Sequence, residues 1–430
     1  MSSPPLTQAR ILRFWLPLAA TWLMMAIEGP FLAAVIARLA EPTYNLAAYG
    51  VAFSLALVVE APVIMLLSAA TALARNRSSY LRLRTFTNGL NAAVTAIMLV
   101  AVLPPVFTLL AVDLIGLPTE VASRTHVALV ILLPWPATIG FRRFYQGVLI
   151  RHNMTRRVAY GTVVRVAAML GTALALAGRP GIEGAWVGAA ALTMGVSLEA
   201  AASRVMAAGA IRDLLATGGE PGGAASTYLR LTRFYYPLAL TTILSLGIHP
   251  LVTFFVGNSR AAIESLAVLP VIGGLVFIFR SLGLSYQEAA IALEGDDHEG
   301  YPALRRFGFR LGLGVAGAMS LIAWTPLAEI WFRDVSGLSE ELVRFALVPT
   351  RILAVMPGLT ALLSFQRAVA VVRDTTEAIT RATLFEVAGV FAVLWLAIGR
   401  LDAVGAVAAA AALLIGRIGA NAALAPTLRA

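Results

Sequence analysis

The sequence predicts an all-α, polytopic membrane protein with twelve transmembrane helices in two parallel six-helix repeats. Of its 430 residues, 59% are hydrophobic and only 13% are charged, whereas soluble domains carry about 25% charged residues. The mean hydropathy is +0.82, and apolar stretches long enough to cross a bilayer follow one another along the chain. Short motifs of the first half recur in the second half, which indicates the repeat.

Twelve apolar stretches of roughly 20 to 30 residues are each long enough to form a membrane-spanning helix. They occupy residues 11–39, 46–74, 85–113, 122–150, 157–177, 183–214, 229–257, 263–293, 303–333, 341–373, 375–399 and 401–428. A transmembrane β-barrel would show short segments of alternating polarity instead. The stretches are therefore predicted to be helices.

The side-chain inventory excludes several kinds of chemistry. No cysteine is present, so disulfides, thiol nucleophiles and thiolate metal sites are excluded. Every basic residue is an arginine, and without lysine no Walker-type phosphate loop can form. A membrane-embedded enzyme would need clustered histidines and acids or a Ser-His pair, and the four histidines are scattered. We predict no enzyme activity, no metal and no cofactor, and Na⁺ and H⁺ are the candidate coupling ions.

Arginine placement predicts the orientation in the membrane. Arginines are concentrated at one set of span ends, among them residues 75–84, Arg142, Arg143, Arg156, Arg157, Arg305 and Arg306. The positive-inside rule places these ends, with both termini, in the cytoplasm. The net charge of +10 is thus a topology signal, not the mark of a nucleic-acid partner. We expect a monomer in the lipid bilayer of the plasma (inner) membrane.

Internal similarity predicts the domain organisation. The motif "RFWLPLA" (13–19) recurs as "RFYYPLA" (233–239), 220 positions later, and "FRRFYQGVLIR" (141–151) is echoed by "FQRAVAVVRD" (365–374). The Gly-, Ala- and Ser-rich stretch 216–228 lies between the copies. The repeat predicts an N-terminal six-helix bundle (1–214), a cytoplasmic linker (215–228) and a C-terminal six-helix bundle (229–430).

Helix breakers occur at matching positions of the two first spans. Gly29-Pro30 lies 220 positions before His249-Pro250. Proline inside a helix removes a backbone hydrogen bond and bends the helix. Interrupted helices at corresponding positions of two halves are the best sequence pointer to a transport site, so Pro30 and Pro250 are predicted bending points. Membrane helices also tolerate proline without any functional role, and that alternative stays open.

Charged residues inside the spans are the sharpest candidates for function. An arginine at the centre of a lone span costs about 2.5–3.5 kcal/mol, so such residues face a bundle interior or an aqueous cavity. The candidates are Arg165, Arg280, Arg351, Arg417, Glu28, Glu60, Glu199, Glu288 and Glu386. Interhelical ion pairing is the alternative role, and it is favoured for Arg165 and Arg417. Arg280 and Arg351 are predicted to converge on a central cavity and contact an anionic substrate.

Two further residues are candidates for coupling. Glu28 precedes Gly29-Pro30, where the break exposes carbonyl groups, so it is a candidate site for Na⁺ or H⁺. His249 precedes Pro250 and could act as a proton switch, since histidine titrates near neutral pH. A plain polar contact is the alternative role for His249.

A stretch of small residues predicts close helix packing. The segment "GLGVAG" (312–317) matches a dinucleotide-binding pattern, but no strand precedes it. Together with Gly308, Gly312 is instead expected to let another helix approach closely.

Several motifs together resemble a known superfamily. "RFWLPLA", "LAAYGVAFSLAL" (46–57), "FYYPLAL" (234–240), "HPLVTFFVG" (249–257) and "VPTRIL" (348–353) lie in two six-helix halves with bent first helices. This arrangement resembles the multidrug/oligosaccharidyl-lipid/polysaccharide flippase (MOP) superfamily, which includes the multidrug and toxin extrusion (MATE) transporters. The individual motifs are most similar to the progressive ankylosis protein family.

The resemblance implies a MATE-like fold and a secondary transporter. The ankylosis family implies efflux of a small anionic metabolite such as pyrophosphate, citrate or a nucleotide. MATE relatives imply Na⁺- or H⁺-coupled antiport of drugs, and other relatives imply flipping of a lipid-linked saccharide. These alternatives remain open at the level of sequence.

Overall fold

The computed structural model describes residues 6–218, 227–294, 300–373, 375 and 377–428. The described residues are almost entirely helical, and their only β pairing is an isolated bridge between Arg260 and Val404. Of the predicted linker, residues 219–226 lie outside the described residues, as does His298. The predicted all-α fold class is confirmed.

Nineteen α-helices follow one another in the described ranges. They are α1 (Gln8–Ala37), α2 (Pro42–Glu60), α3 (Leu66–Leu73), α4 (Arg77–Ala101), α5 (Pro104–Thr108), α6 (Thr119–Ile131), α7 (Trp135–Arg151), α8 (Thr155–Leu176), α9 (Gly184–Met206), α10 (Ala208–Ala216), α11 (Tyr228–Leu246), α12 (Ile248–Gly257), α13 (Ala262–Leu293), α14 (Tyr301–Trp324), α15 (Leu327–Ile330), α16 (Glu340–Ile352), α17 (Met356–Val372), α18 (Glu377–Gly399) and α19 (Gly405–Leu424).

Most of these helices combine into membrane spans. Within the described ranges, eleven helical segments are long and apolar enough to cross a bilayer. A further pair, Arg77–Ala101 with Pro104–Leu114, is bent by 75° and supplies a twelfth span if it crosses as one unit. This pair covers the predicted span 85–113. The chain is therefore a multi-span membrane protein.

Backbone turns recur with the period seen in the sequence. The left-handed residues Glu41 (φ 48°) and Ala261 (φ 54°) lie 220 positions apart, directly before α2 and α13. Gly116 (φ 77°) and Gly337 (φ 76°) lie 221 positions apart. Each of these two glycines follows a short π-helical segment, Leu109–Leu114 in the first case and Trp331–Val335 in the second. The duplication therefore extends to the backbone conformation.

Helix caps recur in the same way. The Asn45 side chain accepts a hydrogen bond from the Ala185 backbone N–H at 2.9 Å, at the start of α9. The Ser265 hydroxyl accepts one from the Ala406 N–H at 3.0 Å, at the start of α19. Each satisfies a backbone donor that a helix N-terminus would leave unpaired.

The chain forms two compact units. One, the split unit, contains Met1–Arg38 and Phe255–Ala430, and the other, the central unit, contains Leu39–Phe254. This division differs from the predicted bundles 1–214 and 229–430, because α1 belongs to the split unit and α11 to the central unit. The predicted bundles describe the repeat in the sequence, and the compact units describe the packing.

The packing of α1 on α13 explains why the split unit includes the first helix. The Trp15 indole N–H donates to Ser285 Oγ at 2.9 Å. A Cβ on Gly274 would lie 3.0 Å from Pro30 Cγ, so the missing side chain lets the two helices meet. Trp15 also contributes to a buried core with Tyr286 and Phe365.

The small-residue face predicted on α14 lies in a close contact. A Cβ on Gly308 would lie 2.8 Å from Tyr286 Cε1, and the Gly312 carbonyl oxygen lies 2.9 Å from the Cβ position of Gly358. The helix therefore packs closely on α13 and α17, as predicted for Gly308 and Gly312.

Candidate substrate site

A buried ion pair joins the last two helices of the split unit. Arg417 on α19 donates to the Oε1 atom of Glu386 on α18 through Nε and Nη2, both at 2.8 Å. Both side chains are buried. Arg417 Nη1 also lies 3.5 Å from Thr360 Oγ1 on α17. The ion-pair role predicted for Arg417 is therefore confirmed.

Two more arginines lie within electrostatic range of this pair. Arg280 on α13 interacts with Arg417, Glu386 and Arg367, and its Nε donates to Thr360 Oγ1 at 3.2 Å. Arg367 on α17 also interacts with Arg417 and Glu386. The Nε of Arg367 is buried and has no hydrogen-bond acceptor among the described residues. Three guanidinium groups thus share one carboxylate.

The approach of α13 to α17 positions Arg280. A Cβ on Gly283 would lie 2.8 Å from the Ala361 backbone nitrogen, so only a glycine lets the two backbones come this close. Arg280 lies about one turn before Gly283, and Thr360 directly precedes Ala361. The contact therefore brings the Arg280 guanidinium to the Thr360 hydroxyl.

The central unit contains a corresponding network around Glu199 on α9. Arg142 Nη1 donates to Glu199 Oε2 at 2.9 Å, and Gln146 Nε2 donates to Glu199 Oε1 at 3.0 Å. Arg165 Nη1 lies 3.8 Å from Glu199 Oε2, which confirms the pairing role predicted for Arg165. All these residues lie on α7, α8 and α9.

Glu60 adds a second carboxylate to the central unit. It ends α2, directly before the 3₁₀ turn Ala61–Val63, and it is buried. The Glu60 carboxyl group interacts electrostatically with Arg142, Arg143 and Arg165. The Oε2 atom of Glu60 has no hydrogen-bond donor among the described residues.

The two networks correspond position by position, and three of the equivalent positions carry side chains of opposite charge. Glu60 lies 220 positions before Arg280, and Arg165 lies 221 before Glu386. Glu199 lies 218 positions before Arg417, whereas Arg143 and Arg367, 224 apart, keep the same sign. The described central network holds three arginines and two glutamates, and the described split network three arginines and one glutamate.

Arg351, on α16, contacts the end of a neighbouring helix. It is exposed, its Nε donates to the Ala323 carbonyl at 3.4 Å, and its guanidinium lies 5.3 Å from the Trp324 ring centroid. It therefore binds the C-terminal end of α14, where a cation satisfies orphan carbonyls. The predicted convergence of Arg280 and Arg351 on a central cavity stays a prediction.

The candidate coupling residues lie in different units. Glu28 is buried on α1, in the split unit. His249 is exposed on α12, in the central unit, and its carbonyl accepts a hydrogen bond from Thr253 Oγ1 at 3.0 Å. The described residues contain no group of three or more histidines and acids placed to hold a metal ion.

The two predicted bending points differ in backbone structure. The helix α1 is continuous from Gln8 to Ala37 and includes Pro30. The seventh span is interrupted at Gly247, between α11 and α12, two residues before His249 and three before Pro250. A matching interruption is therefore not present in the first span.

Sequence reasoning identified Glu60 as a candidate but missed the roles of Arg367 and Thr360. Arg367 is not among the charged candidates identified from the sequence, and its place near Arg417 and Glu386 follows from packing. The available signal was the 220-residue period, which places Glu60 opposite Arg280. A comparison of charges at that offset would have identified the pair.

Comparison with solved structures identifies the fold. The chain superimposes on the inward-facing conformation of a multidrug resistance MATE family transporter of the MOP superfamily with a TM-score of 0.74 and 13% identity, over 97% of both chains. It matches the lipid II flippase MurJ, inward closed, with a TM-score of 0.72 and 12% identity, over 96% of this chain and 88% of that one. No family model and no curated protein matches the sequence.

A third neighbour differs from these in its pocket. It is a MOP superfamily transporter from Pyrococcus furiosus whose binding pocket is described as having reverse polarity, with a TM-score of 0.66 and 14% identity, over 97% of this chain and 94% of that one. The chain thus has the MATE-like fold of MOP superfamily transporters and flippases. The finer resemblance to the ankylosis family stays a prediction.

Proposed function

We propose that this protein is an alternating-access secondary transporter that exports a small anionic metabolite, such as a pyrophosphate-, citrate- or nucleotide-like compound. One observation carries the proposal. In the split unit, Arg280 and Arg367 interact electrostatically with a carboxylate that is already bound to Arg417. Uncompensated cations inside a membrane protein are costly, and they mark substrate pathways.

Alternating access is supported by the neighbours. MATE family transporters with this fold have been captured in inward-facing and outward-facing conformations. Two such states expose one site to the two sides of the membrane in turn. We place the protein in the inner membrane as a monomer with cytoplasmic termini. Glu28 is its proposed Na⁺ or H⁺ site, His249 its proposed proton switch, and Pro30 and Pro250 its proposed hinges.

Two alternatives have specific support. Coupled export of cationic drugs is favoured by the MATE neighbours, and carboxylates would then bind the substrate. Flipping of a lipid-linked saccharide is favoured by the lipid II flippase, and it also suits a cationic site. The sign of the transported charge separates the first alternative from the proposal.

Uptake into inside-out vesicles tests the function. Radiolabelled pyrophosphate or citrate should accumulate in vesicles that contain the protein, and the cationic dye ethidium should not. Arg280→Ala should reduce anion uptake by about tenfold or more, since one charge-assisted contact is lost. Arg351→Ala should reduce it less, because that side chain lies at the end of α14.

The opposite pattern contradicts the proposal. Ethidium uptake without anion uptake would identify a cation exporter. Collapse of the Na⁺ and H⁺ gradients, applied one at a time, identifies the coupling ion. Glu28→Gln should remove that gradient dependence while the protein stays in the membrane, and an unchanged response would show that Glu28 has only a structural role.

A further inference from the structure

The geometry points to an oxyanion-binding site within the split unit, formed by Arg280 and Arg367 and supported by Thr360 and the Arg417–Glu386 pair, for a phosphate-type group. This inference rests on the proposed function and specifies the chemistry of the ligand. The site takes a group with several anionic oxygens, and that chemistry is shared by free pyrophosphate and by a lipid phosphate.

Many hydrogen-bond donors of the network surround few acceptors. Glu386 receives two hydrogen bonds from Arg417. The Thr360 hydroxyl accepts from Arg280 and Arg417 and donates to the Met356 carbonyl at 2.9 Å. The Nε of Arg367 has no acceptor among the described residues. The hydrogen-bond donors of the site therefore outnumber its acceptors.

The positive charges of these arginines also favour a bound anion. Arg280 and Arg367 are both half-buried, so neither is fully solvated. They repel each other and Arg417. Leaving charges buried without a counter-charge is strongly destabilising. A bound anion would relieve that repulsion and supply the missing acceptors.

The central unit has an acidic residue where the split unit has one of these arginines. There the position equivalent to Arg280 is occupied by Glu60, whose carboxylate lies among Arg142, Arg143 and Arg165. The repeat thus has an acidic side chain at this position in one unit and an arginine in the other. This exchange of an acid for a base at one equivalent position is the second observation that indicates an external ligand.

Guanidinium groups define the kind of ligand. Their planar forks match the oxygen spacing of phosphates and carboxylates, and such charge-assisted bonds are about twice as strong as neutral ones. Two arginines on different helices favour a ligand with oxygens that point in more than one direction. A phosphate-type group meets this requirement better than a single carboxylate.

Calorimetry on the purified full-length protein tests the site. Inorganic pyrophosphate should bind the parent protein, and Arg280→Gln and Arg367→Gln should each weaken binding by about tenfold to a hundredfold. Arg344→Gln is the matched control, since Arg344 is an exposed arginine on α16 and should bind as the parent does. Equal binding by the parent and both site variants would overturn the site.

A second variant distinguishes the loss of ligand binding from the loss of folding. Arg280→Glu places a carboxylate where the central unit has Glu60. Without ligand, it should unfold at a higher temperature than Arg280→Gln, and it should bind no pyrophosphate. A lower unfolding temperature than Arg280→Gln, or pyrophosphate binding as in the parent, would overturn the inference.

Nanodiscs of two lipid compositions distinguish a lipid phosphate from free pyrophosphate as the bound oxyanion. Thermal unfolding is compared in nanodiscs of phosphatidylglycerol and of phosphatidylcholine. Stabilisation by phosphatidylglycerol that both site variants abolish, without pyrophosphate binding, supports the site with a lipid phosphate and contradicts small-anion export. If the site variants bind pyrophosphate normally while vesicle uptake persists, the site is wrong and the proposed function stands. If the parent protein neither binds pyrophosphate nor is stabilised by phosphatidylglycerol, the inferred site is wrong.

Discussion

The central and split units share their backbone and differ in their charges. Left-handed residues, π-helical segments and helix caps recur at a spacing of 220 or 221 positions. The buried ion pairs recur as well, but Arg165–Glu199 has the opposite polarity to Glu386–Arg417. The equivalent positions therefore carry an ion pair in both units, with the cation on α8 in the central unit and on α19 in the split unit. The two units differ in their balance of acids and bases at one equivalent position, which holds Glu60 in the central unit and Arg280 in the split unit.

One helix also differs in shape. In the central unit, α2 ends at Glu60 and a 3₁₀ turn containing Pro62 follows, whereas the equivalent α13 is continuous from Ala262 to Leu293. The position equivalent to Pro62 is Leu282, which keeps its backbone N–H. The exposed Pro62 carbonyl accepts a hydrogen bond from the Tyr235 hydroxyl at 2.5 Å. The break is thus stabilised by a partner on α11.

The largest effect is expected from the ion pair of the split unit. Arg417→Ala leaves Glu386 buried without its partner and should cost about 3–5 kcal/mol of stability. The double variant Glu386→Arg with Arg417→Glu should recover most of that loss, because it reproduces the polarity of the central unit. Thermal unfolding in detergent measures both. Failure of the double variant to recover would show that polarity is fixed in each unit.

The close contact of α13 with α17 should give the next largest effect. Gly283→Val forces a side chain against the Ala361 backbone and should destabilise by about 1–3 kcal/mol. Gly273→Val is the matched control on the same helix, since a Cβ there meets no atom within 4 Å. Urea unfolding of the two variants checks this prediction. Equal stability would mean that the two backbones separate at little cost.

A smaller effect is expected at the break in the central unit. Tyr235→Phe removes the donor to the Pro62 carbonyl and should cost about 0.5–1.5 kcal/mol. Tyr236→Phe serves as the control because that ring is exposed. Hydrogen exchange of the residues around the 3₁₀ turn should increase only in Tyr235→Phe. An increase in both variants would assign the change to α11 as a whole.

The smallest effect concerns the pH dependence of stability at Glu183, which directly precedes the first residue of α9. Burial raises the pKa of Glu183, but hydrogen bonds from Asn45 and Arg124 outweigh it and hold the pKa below its ordinary value of 4.5. Ionised Glu183 therefore stabilises the fold above that value, and the contribution is lost as pH falls through the lowered pKa. Glu183→Gln should lower the unfolding temperature at pH 7 and leave it nearly unchanged at acidic pH. An equal change in unfolding temperature at both pH values would show that the charge of Glu183 is not the source of the stabilisation.

Much of the fold could be predicted from the sequence, because its signals are local. Apolar length predicts the spans, and the "RFWLPLA" repeat predicts the duplication. The compact units could not be predicted, since the exchange of α1 and α11 depends on contacts far apart in the chain.

The candidate site was predicted only in part. Arg280 was identified from its cost inside a span, and the pairing of Arg165 and Arg417 was correct. Arg351 looked equivalent to Arg280, because a sequence gives depth along a helix and not the direction of a side chain. Its place at the end of α14 depends on where that neighbouring helix ends. Arg367 was missed for the same reason.

The position of α1 has a consequence for synthesis. It is made before the central unit, yet it packs on α13, which begins about 225 residues later. At about 5–20 residues per second, the first helix waits roughly 10–45 s before its partner leaves the ribosome. The central unit can be completed during that interval. Insertion factors that shield α1 should therefore affect the yield of the split unit more than that of the central unit.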